Sequence, residues 1–138
     1  LPNVKLCGLV PAEHFIERIR GEADVLFVPM SFATQDRANM RLCFPSKLTD
    51  YTAAGLPLLI HGPTDSSAVR WARSNPGVAE VISSETPADY QITINRLSDI
   101  NFRRQLTLKA HEVGLQYFSN RAVGRVFLNL ISPSGNEN

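Results

Sequence analysis

The sequence is poor in several features that would each announce a class of protein. It holds two cysteines, Cys7 and Cys43, which lie far apart and form no Cys-x-x-Cys pair. That spacing argues against a disulfide framework or a zinc ribbon. The two are read as free thiols, packed inside the fold, in a reducing compartment, which points to the cytoplasm. The three histidines, His14, His61 and His111, stand at no metal-ligand spacing, so no bound metal is expected. Charge of one sign is lacking too. The formal net charge is +1, which leaves no compositional footprint for nucleic acid or a membrane. The Arg103-Arg104 pair reads as the solvated face of a helix. No apolar run approaches the ~18 residues that a membrane span needs. The opening Leu1-Pro2-Asn3-Val4-Lys5 does not read as a signal peptide. There is no internal repeat and no linker.

What remains is the composition of a globular domain with a core of its own, 43% hydrophobic and 20% charged over 138 residues. One domain over residues 1–131 is expected, followed by a polar tail over residues 132–138 that should fray.

Along the chain, short apolar runs alternate with helical periods. Val4–Leu9 reads as a strand. Pro11 opens a helix with Phe15, Ile16 and Ile19 on one face, closed by Gly21. Val25–Val28 reads as a strand buried on both faces, ended by Pro29. Residues 30–44 read as irregular. Ser46 is placed to cap a helix carrying Leu48, Tyr51 and Thr52 toward the core, with Gly55 and Pro57 as its stop. Leu58–Ile60 is a third strand. Thr64 or Asp65 caps a helix with Ala68, Val69 and Ala72, and Val78–Ile82 is a fourth strand after an Asn75-Pro76-Gly77 turn. Three helices complete the chain. One opens at Pro87. A second starts at Ser98 or Asp99 with Phe102, Leu106, Ala110, Val113 and Tyr117 in phase. The last starts at Ser119 or Asn120 with Val123, Val126, Phe127 and Leu130 in phase. This alternation implies an α/β fold, a Rossmann-like parallel sheet with helices on both faces and extra helices at the C-terminal end.

Open parallel sheets bind ligands beyond the carboxyl ends of their strands. That rule selects the loops Gly8–Pro11, Pro29–Ser46, His61–Asp65 and Ser83–Thr86. The second loop feeds a helix N-terminus, which suits an anion. Ser46, Lys47 and Asp50 share a face there by their i, i+3 and i, i+4 relations. A carboxylate one turn beyond a phosphate contact matches a ribose diol. The structural alternative is a Ser46 cap with a weak Lys47–Asp50 surface pair. His61, Gly62 and Ser66 border a crevice where sugar or phosphate contact competes with loop hydrogen bonding and capping. Trp71 is read as a packing residue.

Two stretches carry a resemblance. Ala23-Asp24-Val25-Leu26-Phe27-Val28-Pro29, and then Phe44-Pro45-Ser46-Lys47-Leu48-Thr49-Asp50-Tyr51-Thr52-Ala53-Ala54-Gly55-Leu56-Pro57-Leu58-Leu59, resemble the donor-binding domain of GT-B glycosyltransferases of the retaining family 4 type. Phe102–Leu106 and Tyr117–Ser119 resemble its C-terminal helices, so the likeness runs over roughly residues 4–131. It implies a nucleotide-diphosphate sugar as substrate, no cofactor, and Asp50 as the carboxylate on the ribose. It also implies that Ser46, Lys47 and the backbone through Leu48 face the diphosphate, and that Gly8, Leu9 and Val10 edge the nucleobase. The chain departs from the family pattern in three ways. Leu42 occupies the position of the first signature carboxylate, Asp50 stands where Glu is commoner, and Pro45 has no N–H to offer. The Gly-rich loop and basic pair that open the family's donor half have no counterpart. The resemblance therefore implies a C-terminal part of a longer enzyme, partnered by an N-terminal acceptor domain and inactive alone. No residue reads as acid, base or nucleophile. Two other readings stay open: a non-enzymatic α/β interaction module, and an epimerase-like enzyme acting on nucleotide sugars.

Overall fold

A computed structural model describes residues 2–132. Except for Ser132, the tail expected to fray lies outside the described residues. Three parallel strands form one sheet in the order of the chain, β1 (Leu26–Pro29), β2 (Leu58–His61) and β3 (Glu80–Ile82). Leu26 aligns with Leu58, Val28 with Ile60, and Ile60 with Val81. Alternation puts these five side chains on one face, and Phe27, Leu59, His61, Glu80 and Ile82 on the other.

Seven helices surround the sheet among the described residues. They are α1 (Ala12–Glu22), α2 (Arg37–Leu42), α3 (Lys47–Ala54), α4 (Ser67–Ser74), α5 (Pro87–Leu97), α6 (Ile100–Phe118) and α7 (Asn120–Ile131). Parallel crossovers are right-handed almost without exception. Strands laid down in chain order therefore send the β1–β2 and β2–β3 crossovers to the same face. Leu26, Val28, Leu58 and Ile60 are buried there with Leu48 and Ala54 of α3, Ala68, Val69 and Ala72 of α4, and Ala110 and Val113 of α6.

The second face is covered less fully. Arg96 of α5 meets Glu80 at 3.1 Å, whereas Phe27 on β1 is 44% exposed. The expectation that β1 is buried on both faces is therefore corrected. Helices flank both faces, but β1 is the edge strand, and no described helix lies over its outer side chains.

The expected strand at Val4–Leu9 does not form. Leu9 is 99% exposed, and Gly8 turns at φ +70, outside the extended region. An apolar run becomes a strand only when its backbone finds a partner. Both cysteines are exposed rather than packed, because Cys7 lies on this segment and Cys43 follows the last turn of α2. Residues 30–44 are not wholly irregular either. A 3-10 turn over Thr34–Asp36 leads into α2, whose Ala38, Met40 and Arg41 favour helix. The α4 helix starts later than expected, at Ser67, because Asp65 turns toward Arg37 instead of capping.

Other signals match the sequence reading. Gly55 ends α3 at φ +68, ψ +43, where a Cβ is costly. Pro87 is the first residue of α5. Asp99 caps α6 by accepting from the amides of Asn101 and Phe102, and Ser119 caps α7 by accepting from Ala122. The Arg20 guanidinium donates to the carbonyls of Ala54 and Ala53 at 2.6 and 2.9 Å, so α1 closes the end of α3. Arg103 is not wholly a solvated residue, since it donates to Leu97 O at 3.1 Å and so caps α5.

The tightest helix contact joins α3 and α6. A Cβ on Gly114 would lie 2.6 Å from Thr52 Oγ1 and 2.7 Å from Thr52 Cβ. Thr52 itself is buried and bonded to Leu48 O and Thr49 O, so it cannot swing away. Gly114→Ala should gain ~1 kcal/mol in helix propensity and lose ~1–3 kcal/mol to overpacking. A net fall in urea midpoint is expected, and a rise would show that the helices yield.

The α7 helix buries Ala122 but leaves its longer apolar side chains uncovered. Val123, Val126, Phe127 and Leu130 are all exposed, Leu130 by 79%. Phe127→Ser should reduce binding of an apolar dye while changing stability by no more than ~0.5 kcal/mol. A drop of several degrees in melting temperature would mean that Phe127 is packed.

Candidate functional site

The loops after the three strands meet in a cleft of about 350 Å³, within the ~300–1,000 Å³ typical of ligand pockets. Ser31, Phe32, Ala33, Thr34, Arg37 and Met40 line it from the β1 side, Pro63, Thr64 and Asp65 from the β2 loop, and Ser83 from the end of β3. These are the carboxyl ends of the strands, as the general rule for parallel sheets requires.

Close approach of two loops shapes the floor. Met30 N donates to His61 O at 2.7 Å, carrying the ladder past β1. A Cβ on Gly62 would lie 2.6 Å from Met30 Cβ, so only glycine fits there. The Ser31 hydroxyl donates to Asp36 Oδ2 at 2.6 Å and accepts from Ala33 N at 3.2 Å, which fixes the first loop. Two hydroxyls in this region, Ser66 Oγ and Ser83 Oγ, are buried without a hydrogen-bond partner among the described residues. Buried polar atoms are normally paired, and such orphans call for an account.

The mouth is charged. Arg37 Nε donates to Asp65 Oδ2 at 3.0 Å, and Arg41 Nε lies 3.7 Å from the same oxygen. The hydrogen bond from Arg37 is the main influence holding the Asp65 carboxyl below its ordinary range. Desolvation opposes it, and attraction to both guanidiniums adds to it. A carboxyl with a depressed folded pKa stabilises the fold above its unfolded value, and that stabilisation is lost as pH falls through the folded value. In a carbon-detected NMR titration Asp65 should therefore titrate below the usual ~3.9, and Arg37→Ala should move its midpoint upward. An unmoved midpoint would remove Arg37 as the cause. The carboxyl that burial pushes upward, Glu80, sits at the start of β3, at the opposite end of the sheet.

The residues singled out from sequence fall in three places. His61, Gly62 and Ser66 lie behind the cleft rather than in its lining, His61 against Phe32 and Gly62 against Met30 and Ser66. The His61 ring is already committed: Nε2 is 3.0 Å from Ser84 O, and the Tyr90 hydroxyl lies against the ring edge, 2.9 Å from Nε2 and 3.0 Å from Nδ1. Ser66 is the N-cap of α4, yet its hydroxyl accepts no cap bond. Ser46, Lys47 and Asp50 form a second place, all exposed at the start of α3. Ser46 does not cap, because its backbone is already helical at φ −57, ψ −31. Leu48 N instead donates to Pro45 O and Thr49 N to Ser46 O. The Leu48 side chain is fully buried. No ion pair joins Lys47 to Asp50 among the described residues. Asp50 lines a separate recess of about 190 Å³ between α3 and α6, beside His111 and Phe118. Gly8, Leu9 and Val10 form the third place. Leu9 is 99% exposed, and none of the three lines the cleft.

The start of α3 is nonetheless tied to α4. Ser67 Oγ donates to Cys43 O at 2.7 Å, and Phe44 meets the Trp71 ring edge-on at 5.8 Å. Trp71 is thus a packing residue, as expected. Three of the four loops chosen from the sequence contribute to the cleft and Gly8–Pro11 does not, while Arg37 and Arg41 were not singled out. Arg37 and Arg41 stand one turn apart on α2, but the carboxylate that draws them to the cleft, Asp65, is distant in the chain.

The fold and cleft define an α/β protein with a small parallel sheet and a strand-end crevice. Beyond that class, no family model matches the chain, and comparison with curated proteins and with solved structures found no match. No described helix is long and apolar enough to cross a membrane.

Proposed function

We propose that this chain is the donor-binding part of a glycosyltransferase that moves a sugar from a nucleotide-diphosphate donor to an acceptor. The observation that carries the reading is the Phe44–Leu59 block, which resembles the GT-B donor domain, on a parallel sheet with a cleft at the carboxyl ends of its strands; Asp50 itself lines the separate recess between α3 and α6. In this reading Asp50 holds the ribose diol, and Ser46 and Lys47 face the ligand at the start of α3. The contribution to catalysis is positioning of the donor and stabilisation of charge on the departing diphosphate. An N-terminal acceptor-binding domain completes the enzyme.

A second reading has an observation of its own. The titratable groups nearest the cleft are already engaged, Asp65 by Arg37 and His61 by Ser84 and Tyr90, while α7 exposes an apolar face. Those features suit an α/β interaction module that has lost its chemistry.

Ligand-observed NMR with UDP, GDP, ADP and CMP separates the two. The donor reading expects selective millimolar binding of one nucleotide, ~4 kcal/mol of binding free energy, abolished in Asp50→Ala. Binding of that nucleotide undiminished in Asp50→Ala would take the ribose away from Asp50. Absence of binding by all four would favour the interaction module.

A further inference from the structure

The start of α3 is a poorer anion site than its place in the sequence suggests. Two of its first-turn amides, on Leu48 and Thr49, are spent on the carbonyls of Pro45 and Ser46. Positive charge gathers instead at the mouth of the cleft. Arg37 and Arg41 share the one carboxylate of Asp65. Two more guanidiniums reach the same seam from α4, with Arg70 donating to Arg41 O at 2.7 Å and Arg73 donating to Thr64 O at 3.4 Å. The other carboxylate nearby, Asp36, is engaged by the Ser31 hydroxyl. Two guanidiniums thus share one carboxylate, and Arg70 and Arg73 are held by backbone carbonyls beside them. Below them the wall turns apolar at Phe32, Met40 and Pro63, with the unpartnered Ser83 hydroxyl at the far side.

We infer that Arg37 and Arg41 form an anion clamp that takes the phosphoryl groups of a ligand whose uncharged end enters the cleft. Asp65 acts as an internal placeholder. It holds the two guanidiniums at the mouth in the empty protein and yields them when a more highly charged oxyanion arrives. Guanidinium forks suit phosphate geometry, and charge-assisted hydrogen bonds of this kind are the strong ones. The inference rests on the donor reading for the source of the phosphoryl groups, and it moves them from the α3 start to the cleft mouth.

The test is a titration of the whole chain with inorganic pyrophosphate, UDP and uridine, followed by amide chemical shifts of Ala33, Thr64 and Ser83. Arg37→Gln/Arg41→Gln should weaken pyrophosphate binding at least tenfold. Arg104→Gln, an equal charge change per residue on the exposed side of α6, should leave it unchanged. Asp65→Asn should tighten binding several-fold, because the competing carboxylate is gone; a structural ion pair predicts no such gain. Thermal melts of each variant confirm folding. The clamp is overturned if pyrophosphate shifts none of the three amides, if Arg104→Gln weakens binding as much as the double variant, or if Asp65→Asn fails to tighten it. Failure of the donor reading looks different. Pyrophosphate binding that needs the two arginines, with UDP no better than pyrophosphate, keeps the clamp and ends that reading. UDP binding that needs Asp50 but neither arginine does the reverse.

Discussion

Everything in this fold hangs on hiding one face of three very short parallel strands. Leu26 and Val28 on β1 and Leu58 and Ile60 on β2 are almost wholly buried, and each such side chain contributes roughly 1.5–3 kcal/mol when fully removed from water. A ladder this short has little stability of its own. It persists because α3, α4 and α6 press Leu48, Val69 and Val113 onto that face. Chain-order strands force the crossovers onto the same side, so the layer that hides the sheet also brings the three strand-end loops to one point. The cleft follows from the burial.

The contact between α3 and α6 sets how closely that layer can pack. Thr52 and Gly114 meet with no room for a side chain on the glycine. Along the sequence Gly114 reads only as a weak place in a long helix. In the structure it is the position where two helices come closest. A glycine in mid-helix costs stability locally and is kept here for what it allows between elements. Gly62 is the same case behind the cleft, where the β1 and β2 loops nearly touch.

The site was partly legible beforehand. The rule that ligands sit beyond the carboxyl ends of parallel strands selected four loops; those after Pro29, His61 and Ile82 contribute to the cleft, and Gly8–Pro11, which follows no strand, does not. The residue types did not single out the charged mouth. Arg37 and Arg41 share α2, one turn apart, but Asp65 lies in the loop after β2, 28 positions beyond the arginine it bonds most closely. Ser46, Lys47 and Asp50 were noticed because their spacing puts them on one helical face. That spacing holds, yet Asp50 faces a recess against α6 rather than the cleft. Local periodicity says which side chains share a face and nothing about what the face meets.

Several helix starts and stops were determined by the sequence alone, because their causes are local, although Gly21 did not stop α1 and Ser46 did not cap α3. Pro87 begins α5, Asp99 and Ser119 cap the two helices that follow them, and Gly55 supplies the left-handed turn that ends α3. The inward residues of α4 and α6 also follow from their 3.6-residue period. Tertiary structure decided the rest. Val4–Leu9 is as apolar as a strand but has no partner, so it stays outside the sheet. Val25–Val28 looks buried throughout, but β1 is the edge strand and Phe27 faces outward. Asp65 has the chemistry of a cap but is taken by Arg37 from another helix. In each case the deciding energy comes from a group distant in sequence, a ladder partner, a covering helix or a counter-charge, and no local pattern reports whether that group will be there.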